Sequence, residues 1–171
     1  ILVAGADGFV GAFLLDALLR DTNAVLHCPV RAANDAAARA RLAERLAFYE
    51  LPLAQLGTRV LAFAWSGESL EALAGELDAI VHAGIVSDFF QPYARLAPVN
   101  VEGTRELLRL ACAGRPKSFH FLSSTTVFAV PDAAAHGPID EDADLTTFRG
   151  HENGYGQTRW VAERLVATAF E

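Results

Sequence analysis

Three glycines spaced three apart, Gly5, Gly8 and Gly11, stand between the apolar run Ile1-Leu2-Val3-Ala4 and a segment of helical period that opens at Phe9. A strand that must pass at once into a helix has few ways to do so. Glycine at the first position permits a sharp turn, at the second it lets a phosphate approach the backbone, and at the third it lets the helix settle on the strand. The first helical amides and the helix dipole then make an anion site. Spacing and flanks together predict a site for a nucleotide pyrophosphate. Asp7 stands against this, because it sets a carboxylate inside the turn; it is expected either to face solvent or to cap the helix.

Downstream, short β-rich apolar runs alternate with longer Ala/Leu/Arg segments. Strands are expected over Ile1–Ala4, Ala24–Val30, Arg59–Phe63, Asp78–Val81 and Ser118–Ser123. Helices are expected over Phe9–Arg20, with Phe9, Phe13, Ala17 and Leu18 along one side, and over Asp35–Tyr49, Ser69–Gly75, Asn100–Ala113 and Tyr155–Phe170. Gly114 stands where a helix C-terminal glycine belongs. Strand–helix alternation at this spacing predicts an α/β fold of βαβ units, a doubly wound parallel sheet with helices on both faces. The strands read as unbroken apolar runs, as strands covered on both sides do. The stretch Thr125–Asn153 has Pro131, Gly137, Pro138, Gly150 and the acidic run Asp140-Glu141-Asp142 but no period. A connection that long inside a domain is usually functional.

The 171 residues suit one domain. The first residues read as mid-strand and the last as an uncapped helix, so the chain is expected to be an excised part of a longer polypeptide. A net charge of −7 with scattered Arg and Lys argues against nucleic acid or an anionic membrane as partner. No apolar run approaches the roughly 18 residues of a membrane span and no signal peptide opens the chain, so a cytoplasmic place is expected. Cys28 and Cys112, in apolar segments without CxxC spacing, read as buried reduced thiols. His27 and His120 read as core residues, and no histidine pair has metal-ligand spacing.

The second signal follows the second strand. An acidic residue about 20 positions after the glycines takes the ribose 2′-hydroxyl of NAD, whereas an arginine nearby marks a 2′-phosphate. Here Pro29-Val30-Arg31 presents Arg31 with no acid beside it. Its planar fork suits phosphate, which favours NADP(H). The next helix carries Arg39 and Arg41, each either a further phosphate ligand or ordinary surface charge.

Tyr155 and Arg159 are four apart on an expected helix and share a face. Positive charge near a tyrosine lowers its pKa from about 10 and fits it for proton transfer. Ser123, Ser124, Thr125 and Thr126 lie at the carboxyl end of the fifth strand, where open α/β sheets bind ligands and a hydroxyl can polarise a carbonyl.

In this order, Gly5-x-x-Gly8-x-x-Gly11, Val81-His82-Ala83-Gly84, Asn100-Val101-Glu102-Gly103-Thr104, Ser123-Ser124-x-x-Val127-Phe128 and Gly154-Tyr155-Gly156-Gln157-Thr158-Arg159-Trp160 resemble an extended short-chain dehydrogenase with a Rossmann-type fold. Together with Cys28-Pro29-Val30-Arg31 and Pro92-Tyr93-Ala94-Arg95-Leu96, the wording is most similar to thioester reductase domains of nonribosomal peptide and polyketide synthetases and of carboxylic acid reductases. The resemblance covers nearly the whole chain. It implies an NADPH-binding domain whose C-terminal substrate subdomain lies outside the chain. It also implies reductive release of an acyl or peptidyl thioester, held by a phosphopantetheinyl carrier protein within a multidomain synthetase, as aldehyde or alcohol. Ser124 then stands at the catalytic Thr/Ser position, Tyr155 is the proton donor and Arg159 stands where the family has lysine. Gly5, Gly8, Phe9, Val10 and Gly11 would meet the cofactor, as would Arg31, Arg41, Ala83, Gly84, Asn100, Tyr155 and Arg159.

The departures from the pattern matter equally. Arg159 keeps the charge of the lysine but has a wider fork. Ala83 stands for the usual Asn and Asp7 for the usual Thr, and Ala64-Trp65-Ser66-Gly67 replaces a Gly-Asp-Leu-like turn. They support a second expectation, a redox-inactive relative that releases product by cyclisation or docks a carrier. A sugar-nucleotide epimerase or dehydratase of the same superfamily is the third.

Overall fold

The computed structural model describes residues 1–52 and 54–170. Two compact units emerge, Ile1–Gly84 with Leu107–Leu122, and Ile85–Glu106 with the chain from Ser123 onward.

The first unit is a five-stranded parallel sheet in the order β3-β2-β1-β4-β5. Its strands are β1 (Leu2–Ala4), β2 (Leu26–Val30), β3 (Val60–Ala64), β4 (Ala79–His82) and β5 (Ser118–Phe121). Alternation along β1 divides two cores. Val3 joins Ala12 and Leu15 of α1 (Phe9–Asp21) and Ala38, Leu42 and Leu46 of α2 (Asp35–Phe48). Leu2 and Ala4 join Leu70 of α3 (Gly67–Glu71) and Leu107, Leu110 and Ala111. Apolar side chains on opposite faces of one strand need cover on both sides, and this is the doubly wound layering the sequence predicts. Arg59 fastens the start of β3 to the end of α1, donating to the carbonyls of Leu19 (3.1 Å), Thr22 (2.6 Å) and Ala24 (3.2 Å).

Several expectations shift. In α1 the buried residues are Gly11, Ala12 and Leu15, while Phe9 and Phe13 lie outward and pack on Tyr49, Phe9 edge-on and Phe13 tilted. The helix after β3 starts earlier than expected, because Ser66 and Ser69 close a capping box. β5 is not covered on both faces: Ser118 and His120 are exposed, since β5 lies at the sheet edge among the described strands. Hence His120 is no core residue, and His27 is only half-buried. Cys28 is buried, but Cys112 is exposed on the last turn of α5 (Gly103–Cys112).

In the second unit, α4 (Tyr93–Ala97) was not anticipated, and the expected helix from Asn100 begins as a π-helical turn, Pro98–Glu102, before α5. The long aperiodic stretch holds three 3₁₀ turns, Thr125–Phe128, Ala133–His136 and Leu145–Thr147, and leads into α6 (Gly154–Phe170). Among the described residues no helix is long and apolar enough to cross a membrane, and no group of three His, Cys, Asp or Glu is gathered to hold a metal.

Candidate functional site

In the first unit, the turn after β1 is set by backbone against backbone. Gly5 has φ +83°, and a Cβ there would fall 2.4 Å from Gly84 Cα, so no side chain fits. Gly8 N–H donates to the Gly5 carbonyl at 2.9 Å and closes the turn. A Cβ on Gly11 would fall 2.0 Å from the same carbonyl, so α1 rests directly on the turn. Gly8 begins α1 with no side-chain cap and no acidic residue in the first turn. The first amides of a 13-residue helix are therefore left to an outside acceptor. At Gly8 a Cβ would meet only the Gly5 carbonyl, at 3.2 Å. This open cradle fits the phosphates of a dinucleotide. Phe9 and Val10 are exposed beside it. Ala83 continues β4, donating its N–H to Ala4 at 3.0 Å, and Gly84 faces Gly5.

Asp7 neither faces solvent nor caps the helix. Its Oδ2 lies 2.8 Å from Arg41 Nη2, and Arg41 Nη1 lies 3.4 Å from the Arg31 carbonyl. The side chain of Arg41 thus links the glycine turn to the end of β2. The Arg31 guanidinium lies over the Trp65 ring, 4.9 Å from its centroid, a cation–π contact that gives the exposed arginine a platform. In the sequence Trp65 stands out only as part of a departure from the family's turn, not as the partner of Arg31. Pairing of Val30 with Ala64 in the β2–β3 register, however, places the next residue of each strand side by side.

In the second unit, α6 presents Tyr155, Arg159 and Glu163 at successive fourth positions. Gly154 lets the start of α6 press on residues 91–93, where a Cβ would fall 2.4 Å from Gln91 O and Tyr93 N. Tyr155 is buried against the Phe89 ring, 4.9 Å between centroids. Arg159 is fully buried; burial pulls its guanidinium pKa below the ordinary value, while Tyr155 and Glu163 push it back up. Ser124 caps the turn Thr125–Phe128. Its Oγ accepts from Thr126 N at 3.3 Å and from Thr126 Oγ1 at 2.9 Å, so its own O–H remains to donate. Ser123 Oγ donates to Glu163, whose place four residues beyond Arg159 was the overlooked signal.

Asn100, expected at the cofactor, is fully buried and engaged by the chain itself. Its Oδ1 accepts from Val86 N at 2.8 Å, and its Nδ2 donates to Val86 O at 3.0 Å and Thr158 Oγ1 at 3.1 Å. His151 and Trp160 brace the preceding stretch. The His151 ring bonds the Val127 carbonyl at 2.8 Å, and Trp160 Nε1 donates to Leu145 O at 2.9 Å. Gly5, Gly8, Phe9, Val10, Gly11, Arg31, Arg41, Ala83 and Gly84 therefore belong to one unit, and Asn100, Ser124, Tyr155 and Arg159 to the other.

An NAD-binding family model described as "Male sterility protein" matches residues 3–171. A linear gramicidin synthase of Brevibacillus parabrevis is 37% identical over 177 residues, covering 98% of this chain and 4% of that protein. Isonitrile lipopeptide synthase of Streptomyces coeruleorubidus is 38% identical over 181 residues, covering 100% of this chain and 12% of that protein. The crystal structure of the terminal R domain from the myxalamid PKS-NRPS biosynthetic pathway superposes with a TM-score of 0.87 at 36% identity, over 99% of this chain and 45% of that one. The chain thus spans less than half the length of each of these relatives.

Proposed function

The chain belongs to the NAD-binding family described as "Male sterility protein", and on that premise we propose that it is the nucleotide-binding part of an NADPH-dependent thioester reductase. A nicotinamide dinucleotide is the cofactor that goes with the family. NADPH rather than NADH is our reading, supported by Arg31 on its Trp65 platform, at a position of the sequence whose immediate neighbours Pro29-Val30 and Ala32-Ala33 are not acidic. The observation that carries the reaction is the second unit's donor set. Ser124 has its O–H left to donate, and Tyr155 shares a helix face with a buried cation, Arg159.

The substrate is an acyl or peptidyl group held as a thioester on the phosphopantetheine arm of a carrier protein, within a larger synthetase. Bound in the glycine cradle, NADPH would supply a hydride to the acyl carbon. Ser124 and Tyr155 hydrogen-bond the acyl oxygen as it gains negative charge, and the Tyr155 hydroxyl supplies its proton. Arg159 holds positive charge beside that phenol. The C–S bond then breaks as the new hydroxyl's proton passes to sulfur, so that the thiol stays on the carrier and the acyl group leaves as aldehyde, or as alcohol where a second NADPH would serve as hydride source.

The test follows NADPH absorbance with a carrier-bound acyl thioester and the full-length protein, with mass spectrometry of the product. Tyr155→Phe should lower the rate by about two to three orders of magnitude, as removal of an oxyanion donor does. An unmutated protein that binds no NADPH yet still releases or docks the acyl carrier would overturn the reading in favour of a redox-silent relative. In that outcome Asp7, Ala83 and Arg159 mark the loss.

A further inference from the structure

We propose that Asp7 is a specificity-determining residue that restrains the preference for a 2′-phosphorylated dinucleotide by holding Arg41. The inference rests on the nucleotide reading above and deepens it. The glycine turn and the end of β2 are the two places a dinucleotide's pyrophosphate and adenosine ribose must meet in this fold. Arg41 is the side chain that reaches both. One of its nitrogens is 2.8 Å from the Asp7 carboxylate in the turn, and another is 3.4 Å from the carbonyl of Arg31 at the strand end. Asp7 is mostly buried and Arg41 is half-exposed, so the carboxylate is the fixed partner and the arginine the one drawn to it.

Two consequences follow from charge alone. An anion arriving at the end of β2 finds the Arg41 charge offset by a carboxylate at contact distance, and part of its donor fork already occupied. The same carboxylate repels a doubly charged 2′-phosphate but hardly affects a neutral 2′-hydroxyl. Through Arg41, Asp7 therefore acts more on the difference between NADPH and NADH than on the pyrophosphate the two share, whose approach its charge opposes equally for both. The pair is partly solvated, which keeps the effect moderate.

Equilibrium binding of NADPH and NADH to the full-length protein tests this, by calorimetry with Asp7→Asn, Asp7→Thr, Arg41→Ala and the double variant Asp7→Asn/Arg41→Ala. Asp7→Asn and Asp7→Thr should each tighten NADPH by about three- to tenfold and move NADH by less than about twofold, with the NADPH gain shrinking as salt rises. Arg41→Ala should abolish the gain that Asp7→Asn brings, so that the double variant binds NADPH no more tightly than Arg41→Ala alone to within about twofold. Three results overturn the proposal: weaker NADPH binding in both Asp7 variants, equal shifts for the two cofactors, or an Asp7→Asn gain that survives in the double variant. The first would mean that Asp7 positions Arg41 for the phosphate, the second that Asp7 acts on the pyrophosphate. If neither cofactor binds the unmutated protein, the nucleotide site itself fails, a result distinct from binding whose discrimination ignores Asp7.

Discussion

In the sheet unit the functional residues are placed by backbone pressed on backbone: Gly5 on Gly84, Gly11 on the Gly5 carbonyl. In the second unit one such approach, Gly154 on residues 91–93, starts α6, and the rest is placed by side chains: Asn100 joining Val86 to Thr158, Ser123 bonded to Glu163, His151 to Val127, Trp160 to Leu145. The first kind of order fails when atoms are added. The second fails when they are removed.

The sharpest way to break that contrast is Gly11→Ala. A methyl group 2.0 Å from a carbonyl oxygen must lift α1 off the turn. Stability should fall by about 3 kcal/mol or more, the upper end for overpacking, with nucleotide binding lost as well. Urea unfolding measures the first and NADPH titration the second. A stable, binding Gly11→Ala variant would show that the turn yields more than its geometry implies.

In the second unit, Asn100→Ala adds no atoms but strands the Val86 amide and carbonyl. A loss of about 1–3 kcal/mol is expected in the same unfolding measurement. If that substitution costs less than a few tenths, the side-chain brace is ornamental and the contrast between the units falls.

An effect confined to alkaline pH probes the sheet unit with a proton. Burial pushes the Cys28 thiol up to about 12. The unfolded chain releases that proton near 9.0, so the folded state alone keeps it between the two values. Stability is therefore whole below pH 9 and falls as pH rises towards 12, by on the order of 1.4 kcal/mol per pH unit. Thermal unfolding of the unmutated protein against Cys28→Ala should isolate that slope.

How much could be read from the chain follows the same division. Order fixed by spacing and period was legible: the glycine turn, the strands, α1, α2, α6, and the helix face shared by Tyr155 and Arg159. What depends on distant partners was not. α4 is a single short turn between Pro92 and Pro98, too brief to show a period. Cys112 and His120 sit in apolar runs that fall on a helix end and an edge strand, where one side stays wet. Asp7 and Arg41 are far apart in sequence, and only the fold brings them to 2.8 Å. The stretch from Thr125 to Asn153 lacks period because its order comes from single bonds to α6 and from turns such as the Asp144 cap on Thr146.

The meeting of Gly5 and Gly84 also bears on how the molecule reports what it holds. The Ala83 amide is bonded to the Ala4 carbonyl immediately before the two glycines touch. Any tug on the phosphate turn reaches that amide without passing through a side chain. Its deuterium exchange rate is thus a gauge at the neighbouring strand end: a turn held closed by a dinucleotide should slow it, and a turn left to breathe should quicken it. Occupancy at one strand end becomes readable as a clock at its neighbour.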